Sequence, residues 1–247
     1  MSGSAIKLSV IIPAFNEEEF IGFTIDNIRK RLGQLNGVSG EIIVVDNNSA
    51  DKTSEIAKSK GAKVVFEPNN QISRARNVGA AQAVGEYLFF IDADTLLPEF
   101  LLDHAISKLD SENWAGGGST IIFDDHQNKL FFGLIVPNLW KFISVSFKVA
   151  AGSFIFCRKE YFEEVGGFSE KLFAGEEIHF SHQYKKLCRK KGDYFGIINQ
   201  YPVITSSRKL SFFSPLKILS AILIPLIFPW ALRYKSMCWF WYKRPEK

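Results

Sequence analysis

A chain of 247 residues that is 47% hydrophobic has room for one large α/β domain with a real core and little spare length for a second. Cys157, Cys188 and Cys238 are widely spaced and odd in number, which supports neither a disulfide framework nor a CxxC metal knuckle and fits a reducing, cytosolic compartment. The formal charge of +4 is uneven, since residues 204–247 hold eight Lys or Arg against the single acid Glu246; a basic tail beside apolar sequence points to an anionic membrane surface rather than to nucleic acid, for which no motif speaks.

No signal peptide is expected, because Met1–Lys7 leads straight into a strand without a long apolar core. Ser9-Val10-Ile11-Ile12 reads as that strand and runs into Pro13-Ala14-Phe15-Asn16-Glu17. Ile21, Ile25, Ile28, Leu32 and Leu35 then mark one face of a helix, with Glu17, Glu18 and Glu19 expected in its first turn and Gly37 and Gly40 at its exit. A second strand, Glu41–Val45, ends in Asp46-Asn47-Asn48-Ser49. A helix over 51–60, a strand Lys63–Phe66 and a helix over 73–84 follow; Gly79, Ala80, Ala81 and Ala83 would let the last lie close to the sheet.

The fourth strand, Tyr87-Leu88-Phe89-Phe90-Ile91, runs into Asp92-Ala93-Asp94. Side chains alternate along an extended chain, so the two acids are expected on one side, as hard oxygen ligands suited to Mg²⁺ or Mn²⁺ gripping a diphosphate. Asp is also a plain turn former, and one such pair proves little. Three strands ending in polar clusters raise its weight, since ligands of open parallel sheets bind beyond the carboxyl ends of the strands. The alternation of elements predicts a doubly wound sheet with right-handed crossovers.

Past Asp94, Leu97, Leu101, Ala105 and Leu109 predict another helix, and Gly116–Phe123 a turn into a strand. The stretch 130–151 is aromatic and nearly uncharged, a candidate acceptor-side flap, second membrane contact or buried helix. Gly152–Cys157 reads as a strand, Gly166-Gly167-Phe168 as a turn, and Glu176-Glu177 as the start of a helix that Gly192 ends. Residues 218–232 form an uncharged run too short and too proline-broken to span a bilayer, so a membrane-surface or re-entrant segment is expected, with a buried helix pair or a dimer contact as the alternatives. Trp239-Phe240-Trp241-Tyr242 before Lys243-Arg244 suits an anchor at headgroup level.

The ordered set Ser9–Glu18, Val44–Asp51, Ala75-Arg76-Asn77-Val78-Gly79, Asp92-Ala93-Asp94 and Gly166-Gly167-Phe168 with Glu176-Glu177 resembles a family 2 glycosyltransferase of the GT-A fold, membrane-associated branch, over about residues 8 to 192. The resemblance implies a Rossmann-like, mostly parallel sheet flanked by helices and followed by an apolar membrane-associated helical segment. It divides the chain into a transferase domain at 1–210, with a nucleotide-sugar half at 1–115 and an acceptor half at 116–210, and a membrane segment at 211–247. It implies a nucleotide-diphosphate sugar donor, UDP- or GDP-linked, with Pro13, Ala14, Phe15 and Glu17 in the nucleotide loop and Asp46 bonding the base. Arg76 falls near the phosphates, against the alternative of a solvated helix-surface arginine. Asp92 and Asp94 match the metal-binding acid pair, Asp94 as the more direct ligand.

Glu177 stands where the family has Asp as catalytic base, and Glu176 remains a second candidate; both acids would also suit a helix N-terminus. His179 is read as a bystander and Arg208 as either a phosphate ligand or a surface charge. Two rivals exist. A haloacid-dehalogenase-type phosphatase also shows Asp-x-Asp-x-Thr, matched by Asp92-Ala93-Asp94-Thr95, but places it after the first strand rather than the fourth. A non-catalytic scaffold with a degenerate fold would be expected to lose acids that this chain keeps. The reading is therefore a metal-dependent, inverting glycosyltransferase, peripheral or monotopic at the cytoplasmic face of a membrane, with a plausibly lipid-linked acceptor.

Overall fold

The computed structural model describes residues 6–111, 113–124, 136–208, 217, 220, 221, 224 and 227–242. The chain begins β1 (Ile6–Ala14), α1 (Ile21–Gly33), β2 (Ser39–Asp46), α2 (Thr53–Ser59), β3 (Lys63–Phe66), α3 (Ile72–Gln82), β4 (Tyr87–Ile91). It continues with β5 (Thr95–Leu96), α4 (Leu101–Ser111), β6 (Trp114–Phe123), α5 (Val136–Phe147), β7 (Phe154–Arg158), α6 (Lys159–Glu164), α7 (Glu176–Lys191) and β8 (Tyr194–Thr205). A 3-10 turn, Pro229–Arg233, and a single helical turn, Trp239–Tyr242, come last.

The strands form one sheet in the order β3-β2-β1-β4-β7-β6-β8-β5. Its interior strands read as unbroken apolar runs because both faces are covered. Leu8, Val10 and Ile12 of β1 with Phe89 and Ile91 of β4 pack under α1 and α4, whereas Ile11, Leu88 and Phe90 join α3 and α7 on the other face. The helix face read from Ile21, Ile25 and Ile28 is fully buried. In α3 the small residues do what their size permits: a Cβ on Gly79 would lie 2.3 Å from Ile11 Cγ2 and 3.0 Å from Val45 Cγ2.

From β1 the chain steps outward to β2 and β3, then returns to lay β4 on the other side of β1. The carboxyl ends of β1 and β4 thus part at a topological switch point, where a crevice opens.

Several expectations need correction. The sheet is mostly parallel only in its first half; β7 runs antiparallel to both β4 and β6, and β5 to β8. Glu17, Glu18 and Glu19 precede α1 instead of filling its first turn, because the chain turns at Asn16, φ 53°, and the Glu17 carbonyl accepts from the Phe20 and Ile21 amides before the helix is under way. No helix among the described residues is long and apolar enough to cross a membrane. Residues 130–135, much of the 218–232 run, Lys243 and Arg244 lie outside the described residues. In α5, Phe142 and Phe147 are exposed, so this helix is not simply core.

Replacing Gly79 by Ala should destabilise the fold by about 1–3 kcal/mol through overpacking, more than the ~1 kcal/mol that alanine gains in a helix. Urea denaturation should show a lower midpoint at unchanged m-value.

Candidate active site

The crevice beyond β1 and β4 is an open cleft of ≈ 520 Å³. Its floor comes from Pro13, Ala14 and Phe15 at the end of β1, and its side from Asp92, Ala93 and Asp94 after β4. The β1 and β2 ends are tied together where the Asn47 amide donates to Ala14 O at 2.8 Å. Asn47 then organises the loop into α3: its Nδ2 donates to Glu67 O (3.1 Å) and Asn69 O (2.6 Å), while its Oδ1 accepts from the Gln71 amide at 2.8 Å. This loop places Asn70 and Ile72 on the cleft wall. Asp46, 7% exposed, is absent from the wall, and its Oδ1 accepts from the Ser49 amide at 3.0 Å.

Glu17 lines the cleft although it is only 5% exposed. Its amide donates to Thr53 Oγ1 at 2.8 Å, and its carboxylate accepts from Arg208 Nη2 at 2.6 Å. Arg208 also reaches Glu19 at 3.5 Å and stacks 4.4 Å from the Phe20 ring centroid. The end of β8 is thereby clipped to the first loop, and Arg208 engages carboxylates at the lip of the cleft.

The acid pair converges, but not for the reason strand alternation gives. β4 stops at Ile91, and Asp92–Thr95 is a turn in which Asp92 O accepts from the Thr95 amide at 3.1 Å. Asp92 faces Arg76, while Asp94 Oδ1 accepts from the Thr205 hydroxyl at 3.4 Å.

Arg76 is no surface arginine, being 1% exposed. Its Nη1 donates to Glu176 Oε1 at 2.7 Å, its Nη2 to Asp92 Oδ1 at 3.1 Å and to Gly152 O at 3.2 Å, and its guanidinium lies 5.2 Å from the Phe168 ring centroid. Burial works against the charge, but Asp92, Glu176 and Glu177 outweigh it and hold the pKa above its ordinary value. Gly152 is required here, because a Cβ would sit 2.8 Å from Arg76 Nη2.

Glu176 and Glu177 open α7 after Gly175, whose φ of 70° suits glycine. Their neighbours differ. Glu176 is 3% exposed and committed to Arg76, with its pKa raised by burial against that pull. Glu177 is partly exposed, and its carboxyl is pushed up to about 8, first by burial and then by the charge of Glu176. None of Glu176, Glu177 and His179 lines the cleft wall, and His179 is exposed.

Among the described residues no cluster of three or more His, Cys, Asp or Glu could hold a metal unaided. Asp92 and Asp94 supply two hard oxygen donors on one wall, the set that suits Mg²⁺ or Mn²⁺ when substrate phosphates complete the shell. Sequence reasoning singled out Pro13, Ala14, Phe15, Glu17, Asp92 and Asp94, which the fold brings to one cleft, with Arg76 linking Asp92 to Glu176 behind it. It passed over Asn70 and Ile72, which carry no motif of their own. It also assigned Trp241 and Tyr242 to a headgroup anchor, whereas both line the cleft.

Residues 9–192 match the family model of glycosyl transferase family 2, and the chain belongs to that family. It is 29% identical over 195 residues to glycosyltransferase AglE of Haloferax volcanii, covering 73% of this chain and 62% of the relative, so it spans less than two thirds of that relative's length. Among solved structures it resembles a mannosyltransferase from Pyrobaculum calidifontis in complex with GDP-Man and Mn²⁺ (TM-score 0.64, 19% identity, 83% of this chain and 58% of that one). It likewise resembles glucosyl-3-phosphoglycerate synthase from Mycobacterium tuberculosis in complex with Mn²⁺, UDP-Glc and phosphoglyceric acid (TM-score 0.60, 20% identity, 94% of this chain and 80% of that one). At these identities the structural likeness is one of fold, the curled mixed sheet of GT-A glycosyltransferases.

Arg76→Met should cost about 3–5 kcal/mol, because it strands Glu176 and Asp92 without their shared cation. Denaturant unfolding at neutral pH measures it, and the loss should shrink at low pH, where the stranded acids are protonated.

Proposed function

We propose that the chain transfers a sugar from a UDP- or GDP-linked donor to an acceptor hydroxyl, with inversion at the anomeric carbon. The observation that carries this reading is the convergence of Asp92 and Asp94 on a cleft at the β1–β4 switch point, with Arg76 tying Asp92 to Glu176 at the start of α7. Family membership and the sugar-nucleotide complexes of structurally similar proteins support it.

Pro13, Ala14, Phe15 and Glu17 would shape the nucleoside pocket, with Asp46 accepting from the base through the carboxylate oxygen that Ser49 leaves. Asp92 and Asp94 would hold Mg²⁺ or Mn²⁺, which when bound offsets the charge growing on the departing diphosphate. Glu177 is the base: it takes the acceptor O–H proton, the acceptor oxygen forms the new bond to the anomeric carbon, and the bond to the diphosphate oxygen breaks with its electron pair leaving on that oxygen. Glu176, already bound to Arg76, positions that guanidinium instead. A carboxyl raised to about 8 is the protonated acid below that pH and the usable base above it, so activity should rise with pH through this range.

The described part of the tail exposes Ile227, Phe228, Trp230, Tyr234 and Met237 beside Arg233 and Lys235. We read this surface as a peripheral contact with an anionic bilayer on its cytoplasmic face, which would bring a lipid-linked acceptor within reach.

Glu177→Gln should lower kcat by roughly 10²–10⁴-fold and abolish the rise with pH while leaving nucleoside diphosphate affinity unchanged. In a thermal-shift panel of UDP- and GDP-sugars with and without Mn²⁺, Asp94→Ala should remove the metal-dependent stabilisation at an unaltered ligand-free melting point. Co-sedimentation with anionic vesicles tests the membrane contact; recovery of the chain only in the supernatant would refute it.

A further inference from the structure

The segment 229–242 lies outside residues 9–192, which carry the family match, yet it forms one wall of the cleft. It is held there by backbone and by packing. The Phe173 amide donates to Leu232 O at 2.7 Å, and Gly175 faces Leu232, a Cβ on it falling 3.5 Å from Leu232 Cδ1. Ala231 and Cys238 are each 1% exposed. The Tyr242 ring stands 6.0 Å from that of Phe173 at 71°, with Lys235 Nζ 5.2 Å from its centroid. The anchoring loop, 173–175, leads directly into Glu176 and Glu177.

Two features of this wall call for a ligand. The Trp241 side chain is 38% exposed while lining a cleft shared with Asp92 and Asp94, an aromatic surface beside the acids. The Tyr242 hydroxyl is buried beside the Ile72 backbone, and among the described residues it has no partner within hydrogen-bond geometry. A buried hydroxyl left open in a cleft wall marks a place where another group completes the bond.

We propose that Trp241 and Tyr242 contact the donor: the 229–242 strap is the closing wall of the nucleotide-sugar site, with Trp241 packing against the nucleoside or sugar and Tyr242 bonding a donor oxygen. This rests on the donor reading above and extends it to residues outside the family's motifs. Because the strap hangs on the 173–175 loop, donor contact also bears on the start of the helix that carries Glu177.

The test titrates the full chain with UDP, GDP and their sugar-linked forms in the presence of MnCl₂, by calorimetry and by tryptophan fluorescence. Trp241→Ala should weaken nucleotide binding by roughly 5–100-fold, the range of one aromatic stack. Trp241→Phe should restore affinity while losing the ligand-induced fluorescence change, a signature that a merely structural tryptophan would not give. Tyr242→Phe should weaken binding of the complete donor. Affinity unchanged or tightened in Trp241→Ala, with Trp241→Phe still showing the full fluorescence change, would overturn the proposal. Wild-type protein binding neither nucleotide would instead overturn the donor reading, and this inference with it.

Discussion

A guanidinium withdrawn from water is tolerable only beside acceptors that hold its charge, and the arrangement of this molecule around its cleft follows from gathering them at the two Nη atoms of Arg76, whose Nε has no hydrogen-bond partner among the described residues. The cation and its acceptors come from four separate stretches of chain. Arg76 comes from α3, Asp92 from the turn after β4, the Gly152 carbonyl from the approach to β7, and Glu176 from the first turn of α7. Remove the cation and the buried Glu176 carboxylate is left beside Asp92 at the cleft edge with nothing to neutralise either. Keep it, and α3 and the turn after β4 are bolted to the start of α7 across the sheet.

The same cation separates the fates of two adjacent acids. Glu176 spends its charge on Arg76 and becomes a fixed part of the framework. Glu177, one residue along the helix, is the partly exposed member and feels the charge of Glu176 as a neighbour's repulsion on top of its own desolvation. Two identical side chains in sequence thus end in different states, one paired inside the framework and one partly open with its proton held more tightly.

Much of this was legible in the residues. Three strands ending in polar clusters foretold one cleft, and Gly79 with its alanine neighbours foretold the close approach of α3 to β1. The acid pair was found through a faulty step, since its convergence comes from a turn and not from strand alternation. The antiparallel strands of the second half, β5 and β7, left no local mark, because pairing direction depends on where a strand returns and not on its composition. Arg76 was placed near the phosphates only by the resemblance, because its burial depends on Glu176, 100 residues later, which no periodicity connects to it. Trp241 and Tyr242 were read as lipid-seeking because aromatic rings beside basic residues suit a headgroup layer and a ligand cleft equally well.

The strap anchored at Leu232 has a consequence for how kinship should be judged. A fragment cut after Thr205 would retain all the residues by which its relatives are recognised and still lack the roof over its own cleft. Membership of the family is thus read from the floor of the site, while this stretch of its wall is read from the fold alone.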